Sequence, residues 1–235
     1  MSSKFEIDAG SESRELDEIL RELERLVPGS SSIDWQDSRT RCAEILEGIR
    51  SRCRKSQRLA ERLYETEYIV GGDEQYIIRL EQEPERLYKV THGENFGCQS
   101  YFSPMDPDLT GKHFHGTGNA DPFFYLRRWR LLNGLGGFKT RFEGFLPPAP
   151  GGRLPRVCIS QSMIVGNNPS TDAIRAAFAK YDFREISSDA FLNFHTRLLL
   201  TDAAPRNVRI VDGSPVPFDA IAQLASDRIL AWASK

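Results

Sequence analysis

Apolar residues recur at helical spacing near the start of the chain. Leu16, Ile19, Leu20, Leu23, Leu26 and Val27 form one stripe with acids and arginines opposite, which predicts an amphipathic helix over 13–27. Ser13 is its candidate N-cap, and Pro28-Gly29-Ser30 ends it. A second stripe of Cys42, Ile45, Leu46, Ile49, Cys53, Leu59 and Leu63 predicts one long helix over 37–64. Its other face carries Arg50, Arg52, Arg54, Lys55 and Arg58. That face suits nucleic acid or a partner, though basic runs more commonly only solvate a helix.

The pattern then changes to strands. Glu67-Tyr68-Ile69-Val70, Gln75 to Leu80 and Arg86 to Thr91 are short runs rich in Ile, Val and Tyr, separated by Gly71-Gly72-Asp73-Glu74 and by Glu83-Pro84-Glu85. Residues 93–120 are rich in Gly, Pro, His and Asn. They read as one long loop, either a flexible insert or a lid carrying Lys112, His113 and His115. A helix over 121–132 follows, then strands over 138–145 and 157–161 and a helix over 169–181 capped by Ser170 or Thr171. A last helix over 188–200 is expected to deliver Asp202, followed by a hairpin of Val208-Arg209-Ile210-Val211, Asp212-Gly213 and Val216-Pro217-Phe218.

Chemistry concentrates around that hairpin. Asp202 and Asn207 have the Asp-x-x-x-x-Asn spacing of phosphotransferase catalytic loops, and Asp219 follows the hairpin. Phosphoryl transfer needs positioning and charge neutralisation, for which a hard cation takes carboxylate and amide oxygens. Asp202 would orient or deprotonate an acceptor hydroxyl. Asn207 and Asp219 would hold the metal. Asp, Pro and Asn also build ordinary turns, so the spacing alone is weak. Lys89, on the third strand, is placed either to reach nucleotide phosphates or to act as an edge-strand lysine.

The chain resembles the protein-kinase-like domain of bacterial polyvalent proteins of mobile elements, a shortened relative of the protein kinase and aminoglycoside phosphotransferase superfamily. The resemblance covers about residues 65–225. It rests on Gly71-Gly72-Asp73-Glu74, Leu87 to Thr91, Tyr125-Leu126-Arg127-Arg128 with Asn133, Glu143-Gly144-Phe145, Ile159-Ser160-Gln161, Asn168-Pro169-Ser170, Asp202 to Val208, and Val216 to Asp219. It implies an α+β, two-lobed, truncated kinase-like fold over 65–235, with an N-lobe near 65–158, a small C-lobe near 162–235 and a helical N-terminal extension over 1–64. ATP would lie between the lobes. Gly71 and Gly72 would approach its phosphates, Lys89 would pair with them, and adenine would sit by Ser160 and Gln161. Mg²⁺ would be the metal.

Departures from the family pattern are equally specific. The helix over 121–132 has no Glu to pair with Lys89, leaving Asp121, Glu81, Glu94 or Glu143 as substitutes. Leu199-Leu200-Thr201 precedes Asp202 where His-Arg is usual, and Ala220-Ile221 follows Asp219 where Phe-Gly is usual. The residues given after Asp219 are few, and no activation segment is expected among them. The resemblance therefore implies an ATP- and Mg²⁺-dependent phosphotransferase acting on an unknown hydroxyl acceptor. Its alternative is a weak or inactive kinase-like module that binds nucleotide or a partner.

Composition bounds the setting. A net charge of −2 gives no footprint for nucleic acid. No apolar run reaches membrane-spanning length, and the first residues, Met1 to Asp8, lack the apolar core expected of a signal peptide. Cys42, Cys53, Cys98 and Cys158 lack paired spacing and read as reduced thiols of a cytoplasmic protein. His113 and His115 lack a second ligand pair for zinc. Residues 1–64 are expected to pack on the kinase-like region or to form a homodimer.

Overall fold

The computed structural model describes residues 11–26, 35–63, 70–71, 74–93, 95–105, 111–117, 120–135 and 139–235. The chain adopts the mixed α+β class expected for it. Three helices come first: α1 (Ser11–Leu26), α2 (Trp35–Arg52) and α3 (Arg54–Leu63). Two helices thus replace the single one expected over 37–64. At Cys53 the backbone N–H is shared between Ile49 O (3.0 Å) and Arg50 O (3.2 Å), and the helix is interrupted there. The break lets one stripe serve two cores: Leu46 and Ile49 join one cluster, and Leu59 another.

β1 (Val70–Gly71), β2 (Gln75–Ile78) and β3 (Arg86–Thr91) follow. The strand expected over 67–70 lies outside the described residues except at Val70, as do Gly72 and Asp73 of the turn. Next come β4 (Gln99–Phe102), β5 (Phe114–Thr117), α4 (Pro122–Asn133), β6 (Thr140–Leu146) and β7 (Arg156–Ser162). An antiparallel sheet forms in the order β1-β2-β3-β7-β6. Alternation along β3 sends Tyr88 and Val90 to the α3 side, where they meet Leu59, Ile78 and Cys158. Lys89 is thereby sent to the other side, under α4. There Phe142, Phe145, Val157 and Ile159 pack with Leu126 and Trp129 of α4 and with Leu16, Leu20 and Leu23 of α1. The stripe of α1 is therefore buried within the chain, against α4 and β6.

The remaining elements are α5 (Thr171–Ala179), β8 (Phe183–Ser187), β9 (Ala190–Asn193), β10 (Leu198–Thr201), β11 (Val208–Val211), β12 (Ser214–Pro217), β13 (Ile221–Leu224) and α6 (Asp227–Ala233). A second sheet has the order β13-β10-β9-β8, and β11 and β12 form a separate hairpin. Helix α4 lies against β13 as well as β6, so it joins the two sheets.

Two expectations need correction. Residues 188–200 form strands, not a helix. Asp189 (φ 57°) and Arg197 (φ 61°) break any helical run, and Leu198 to Thr201 pair with β9 and β13. All four residues of β10 are buried, so no polar alternation marks the strand. The region 93–120 is not one loop, because β4 and β5 pair from Gln99↔Thr117 to Phe102↔Phe114. Phe102 and Phe114 anchor this hairpin on Trp232 of α6, with ring centroids 4.8 and 6.2 Å away.

Candidate functional site

Lys89 Nζ donates to Asp219 Oδ1 at 2.9 Å and to Phe218 O at 3.3 Å, and lies over the Trp129 ring at 4.9 Å. The ammonium is buried, with the Lys89 side chain 4% exposed, while the Asp219 side chain is 37% exposed. Asp219 is held from the helix side as well. Asp121 caps α4 by accepting from Phe124 N (2.6 Å), with Pro122 in the first turn, and this fixes the helix that presents Arg128. Arg128 donates from Nε to Ala220 O (2.9 Å) and from Nη2 to Asp219 O (2.6 Å), and Nη2 lies 3.5 Å from Asp219 Oδ1. Its Nη1 donates to Glu74 Oε2 at 3.1 Å.

Glu74 stands at the start of β2 and also accepts from Cys98 N at 2.8 Å. The crossing is tight. A Cβ at residue 97, where Gly97 has φ +89°, would lie 2.8 Å from Glu74 Oε2, so a side chain there would expel the carboxylate. Glu74 is the acid of the first sheet that pairs with Arg128 of α4. Of the four substitutes expected, Asp121 caps the helix, Glu143 accepts from Ser160 Oγ (2.5 Å), Glu81 lies exposed in a turn, and Glu94 falls outside the described residues. The sequence carried a signal for Glu74 only as part of a glycine turn, and for Arg128 only as one of two adjacent arginines.

The second half of the site is the loop after β10. Asp202 takes φ +51°, and its Oδ2 accepts from Asn207 Nδ2 at 2.8 Å; the same nitrogen donates to Asp202 O at 2.8 Å. Arg206 Nη2 donates to Asp202 Oδ1. Asn207 O accepts from Asp219 N at 3.3 Å, which joins this loop to the Lys89 centre. Asp202, Asn207, Asp219 and Lys89 therefore form one connected group.

The other expected site residues fall elsewhere. Ser160 pairs with Tyr88 across the sheet, faces the α3 side and accepts from Arg86 (2.8 and 3.1 Å). Gln161 is on the Lys89 side but buried; its Nε2 donates to Thr140 Oγ1 (3.0 Å) and to Phe218 O (3.3 Å), the carbonyl that Lys89 also reaches. Both side chains are used within the fold. Gly71 pairs with Tyr76 in β1, and Gly72 lies outside the described residues.

Electrostatics follow from the geometry. Burial pushes the Asp219 carboxyl up, but Lys89 and Arg128 outweigh it and hold the group below the usual carboxylate range. Burial lowers the Lys89 ammonium, with Asp219 pulling the other way. Burial raises Asp202 against the pull of Arg206 and Asn207. Among the described residues no three His, Cys, Asp or Glu side chains form a metal cage. The oxygen donors available are the Asp219 carboxylate and the Asn207 amide, which suit a hard cation that draws its other ligands from phosphate and water.

Beside the centre lies a cavity of about 260 Å³, bordered by Glu74, Cys98, Ser100, Asp189, Thr201 and Asp202. Burial and the neighbouring Glu74 push the Cys98 thiol up to about 11, so it is a neutral wall residue. No helix among the described residues is long and apolar enough to cross a membrane. Comparison with protein-family models, with curated proteins and with solved structures gives no match to this chain.

Proposed function

We propose that the chain is a kinase-like, ATP- and Mg²⁺-dependent phosphotransferase acting on a hydroxyl acceptor. The observation that carries this reading is the meeting of Lys89 with Asp219 at 2.9 Å, with Asp219 N bound to Asn207 O of the Asp202 loop. A strand lysine from a distant part of the chain is thereby joined by hydrogen bonds to a carboxylate and its neighbouring Asp/Asn loop.

Lys89 and Arg128 supply positive charge where phosphate oxygens would lie. Asp219 and Asn207 would hold Mg²⁺, which when bound offsets the charge of the nucleotide phosphates. Asn207 Nδ2 is taken by Asp202, so the amide oxygen is the end turned to a cation. Asp202 orients the acceptor hydroxyl and takes its proton. Burial raises the Asp202 carboxyl toward the range in which it accepts a proton most effectively. As the acceptor oxygen bonds to the γ-phosphorus, the bond from that phosphorus to the β,γ-bridging oxygen breaks and ADP leaves.

Arg128 favours a second reading. The helix presents a cation to the centre, and Glu74 answers it from β2. A module built this way could bind nucleotide and transfer no phosphate. Formation of ADP from Mg²⁺-ATP by the wild type and its loss in Asp202→Asn support the first reading. Nucleotide binding without turnover in both proteins supports the second.

A further inference from the structure

Strand β13 is an outer strand of the second sheet, and α1 and α4 stand beside it. The three elements line a cavity of about 640 Å³ whose walls include neither Lys89 nor Asp219. Leu20 of α1, Phe124 and Leu131 of α4, and Ala222 and Leu224 of β13 make its apolar floor. A narrower cavity of about 150 Å³ shares Arg130, Leu131 and Leu224 with the first and continues the apolar surface over Leu135, Phe183 and Leu198. Leu224 stands where the two meet and is 62% exposed. The joined groove follows α4 from Phe124 to Gly134, about 15 Å at the helical rise.

Five charged side chains border this groove, and four of them offset one another. Arg130 Nε binds Asp17 Oδ1 at 2.7 Å, and Arg127 Nη2 binds Glu24 Oε1 at 2.9 Å. The fifth is Arg21, in the wall of the wider cavity. Its Nε donates to Asp17 O at 3.2 Å, and no carboxylate pairs with it among the described residues. Of its charged neighbours on α1 outside the lining, Arg25 is paired with Glu22, and Glu18 is exposed without an ion pair to Arg21. The lining therefore keeps one guanidinium without a carboxylate, at the wide end of a long apolar floor.

That pattern selects the ligand. Cavities of roughly 300–1,000 Å³ hold small molecules through apolar walls, with a few polar groups that fix orientation. A long, continuous apolar surface suits an alkyl chain, and the guanidinium in the wider cavity suits a carboxylate head. An added peptide strand would need the edge of β13, where Ala222 is only 1% exposed. We infer that the groove binds a free linear alkyl monocarboxylate, with its head at Arg21 and its chain passing Leu131 and Leu224 into the narrower cavity. The inference stands apart from the phosphotransferase reading, since it uses none of that site's residues.

The test is calorimetric titration of the full chain with dodecanoate, below its micelle-forming concentration. Octanoate, dodecanol and dodecyltrimethylammonium are the comparison probes, and vesicles of anionic phospholipid are a further control. Dodecanoate is expected to bind at least about tenfold more tightly than octanoate, because each buried methylene adds affinity. It is also expected to bind severalfold more tightly than dodecanol, and dodecyltrimethylammonium more weakly than either. Leu224→Asp sets a carboxylate where the chain passes and is expected to weaken dodecanoate by about tenfold or more. Should Leu224→Asp fail to fold, Arg21→Glu serves, since Arg21 is exposed on α1. Arg21→Glu is expected to abolish the preference for dodecanoate over dodecanol, and Arg21→Lys to keep most of it. A residue that only shaped the groove would weaken both ligands alike. No binding of dodecanoate, equal binding of the anionic and cationic probes, affinity indifferent to chain length, or binding that neither variant alters would overturn the inference. So would attachment to the vesicles in preference to free dodecanoate, or a wild-type dimer in sedimentation that Leu224→Asp dissociates.

Discussion

Lys89 and Asp219 stand 130 positions apart in the chain and meet at 2.9 Å, the lysine buried and the carboxylate open to solvent on one side. The two halves of the pair are not equivalent. Lys89→Met keeps the apolar stem against Trp129 and leaves Asp219 with Arg128. Asp219→Ala leaves a buried ammonium without its carboxylate. Removing one partner from a fully buried pair costs about 3–5 kcal/mol, and the exposure of Asp219 reduces this to about 2 kcal/mol. Urea unfolding is expected to show Asp219→Ala as the more destabilised protein, with Lys89→Met within about 1 kcal/mol of wild type.

Opposite pH slopes are expected for the two aspartates. The depressed Asp219 contributes stability that is present above the ordinary carboxylate range and is lost as pH falls through its folded value. The raised Asp202 works in the opposite sense, costing stability as pH climbs from the ordinary value toward its folded one. Between about pH 3 and 7, the deficit of Asp219→Asn relative to wild type is expected to grow with pH. That of Asp202→Asn is expected to shrink or reverse. Slopes of the same sign in the two variants would contradict the assigned environments.

Arg128 depends on the shape of its guanidinium. It binds Ala220 O, Asp219 O and Glu74 at once. Lysine keeps the charge and loses the planar fork, so Arg128→Lys is expected to cost about 1–3 kcal/mol through unsatisfied buried carbonyls. Thermal denaturation of the two proteins reads this directly.

Gly144 controls how α3 seats on the sheet. It has φ +141° at the bulge between Phe142 and Gly144, and a Cβ there would lie 3.0 Å from the backbone of Ser56. Ser56 Oγ accepts from Phe145 N at 2.8 Å in the same place. Gly144→Ala is expected to cost more than about 2 kcal/mol, against about 1 kcal/mol for Ser56→Ala. In Gly144→Ala, hydrogen exchange is expected to quicken first in α3.

Where the sequence carried a local signal, the elements were legible. Asp121-Pro122 announced the start of α4, Ser170 that of α5, and Asp212-Gly213 the turn between β11 and β12. Strand β10 was misread because a strand buried on every side shows a continuous apolar run, which a helix also shows. The β4–β5 hairpin was hidden by turn-forming residues around two short strands of four residues each. Within the site, Asp202, Asn207 and Asp219 were visible from spacing close to one hairpin. Arg128 and Glu74 were not, because their meeting depends on how α4 packs between the sheets, and no short pattern encodes that.

Calorimetric titration of ATP, with and without Mg²⁺, into wild type and Asp219→Asn tests the phosphate centre most directly. Binding that requires Mg²⁺ in the wild type, and weakens at least about tenfold in a variant still folded at the titration temperature, is the predicted result. No binding in the wild type, or equal Mg²⁺-dependent binding in both proteins, would contradict the placement of nucleotide phosphates at Lys89 and Asp219.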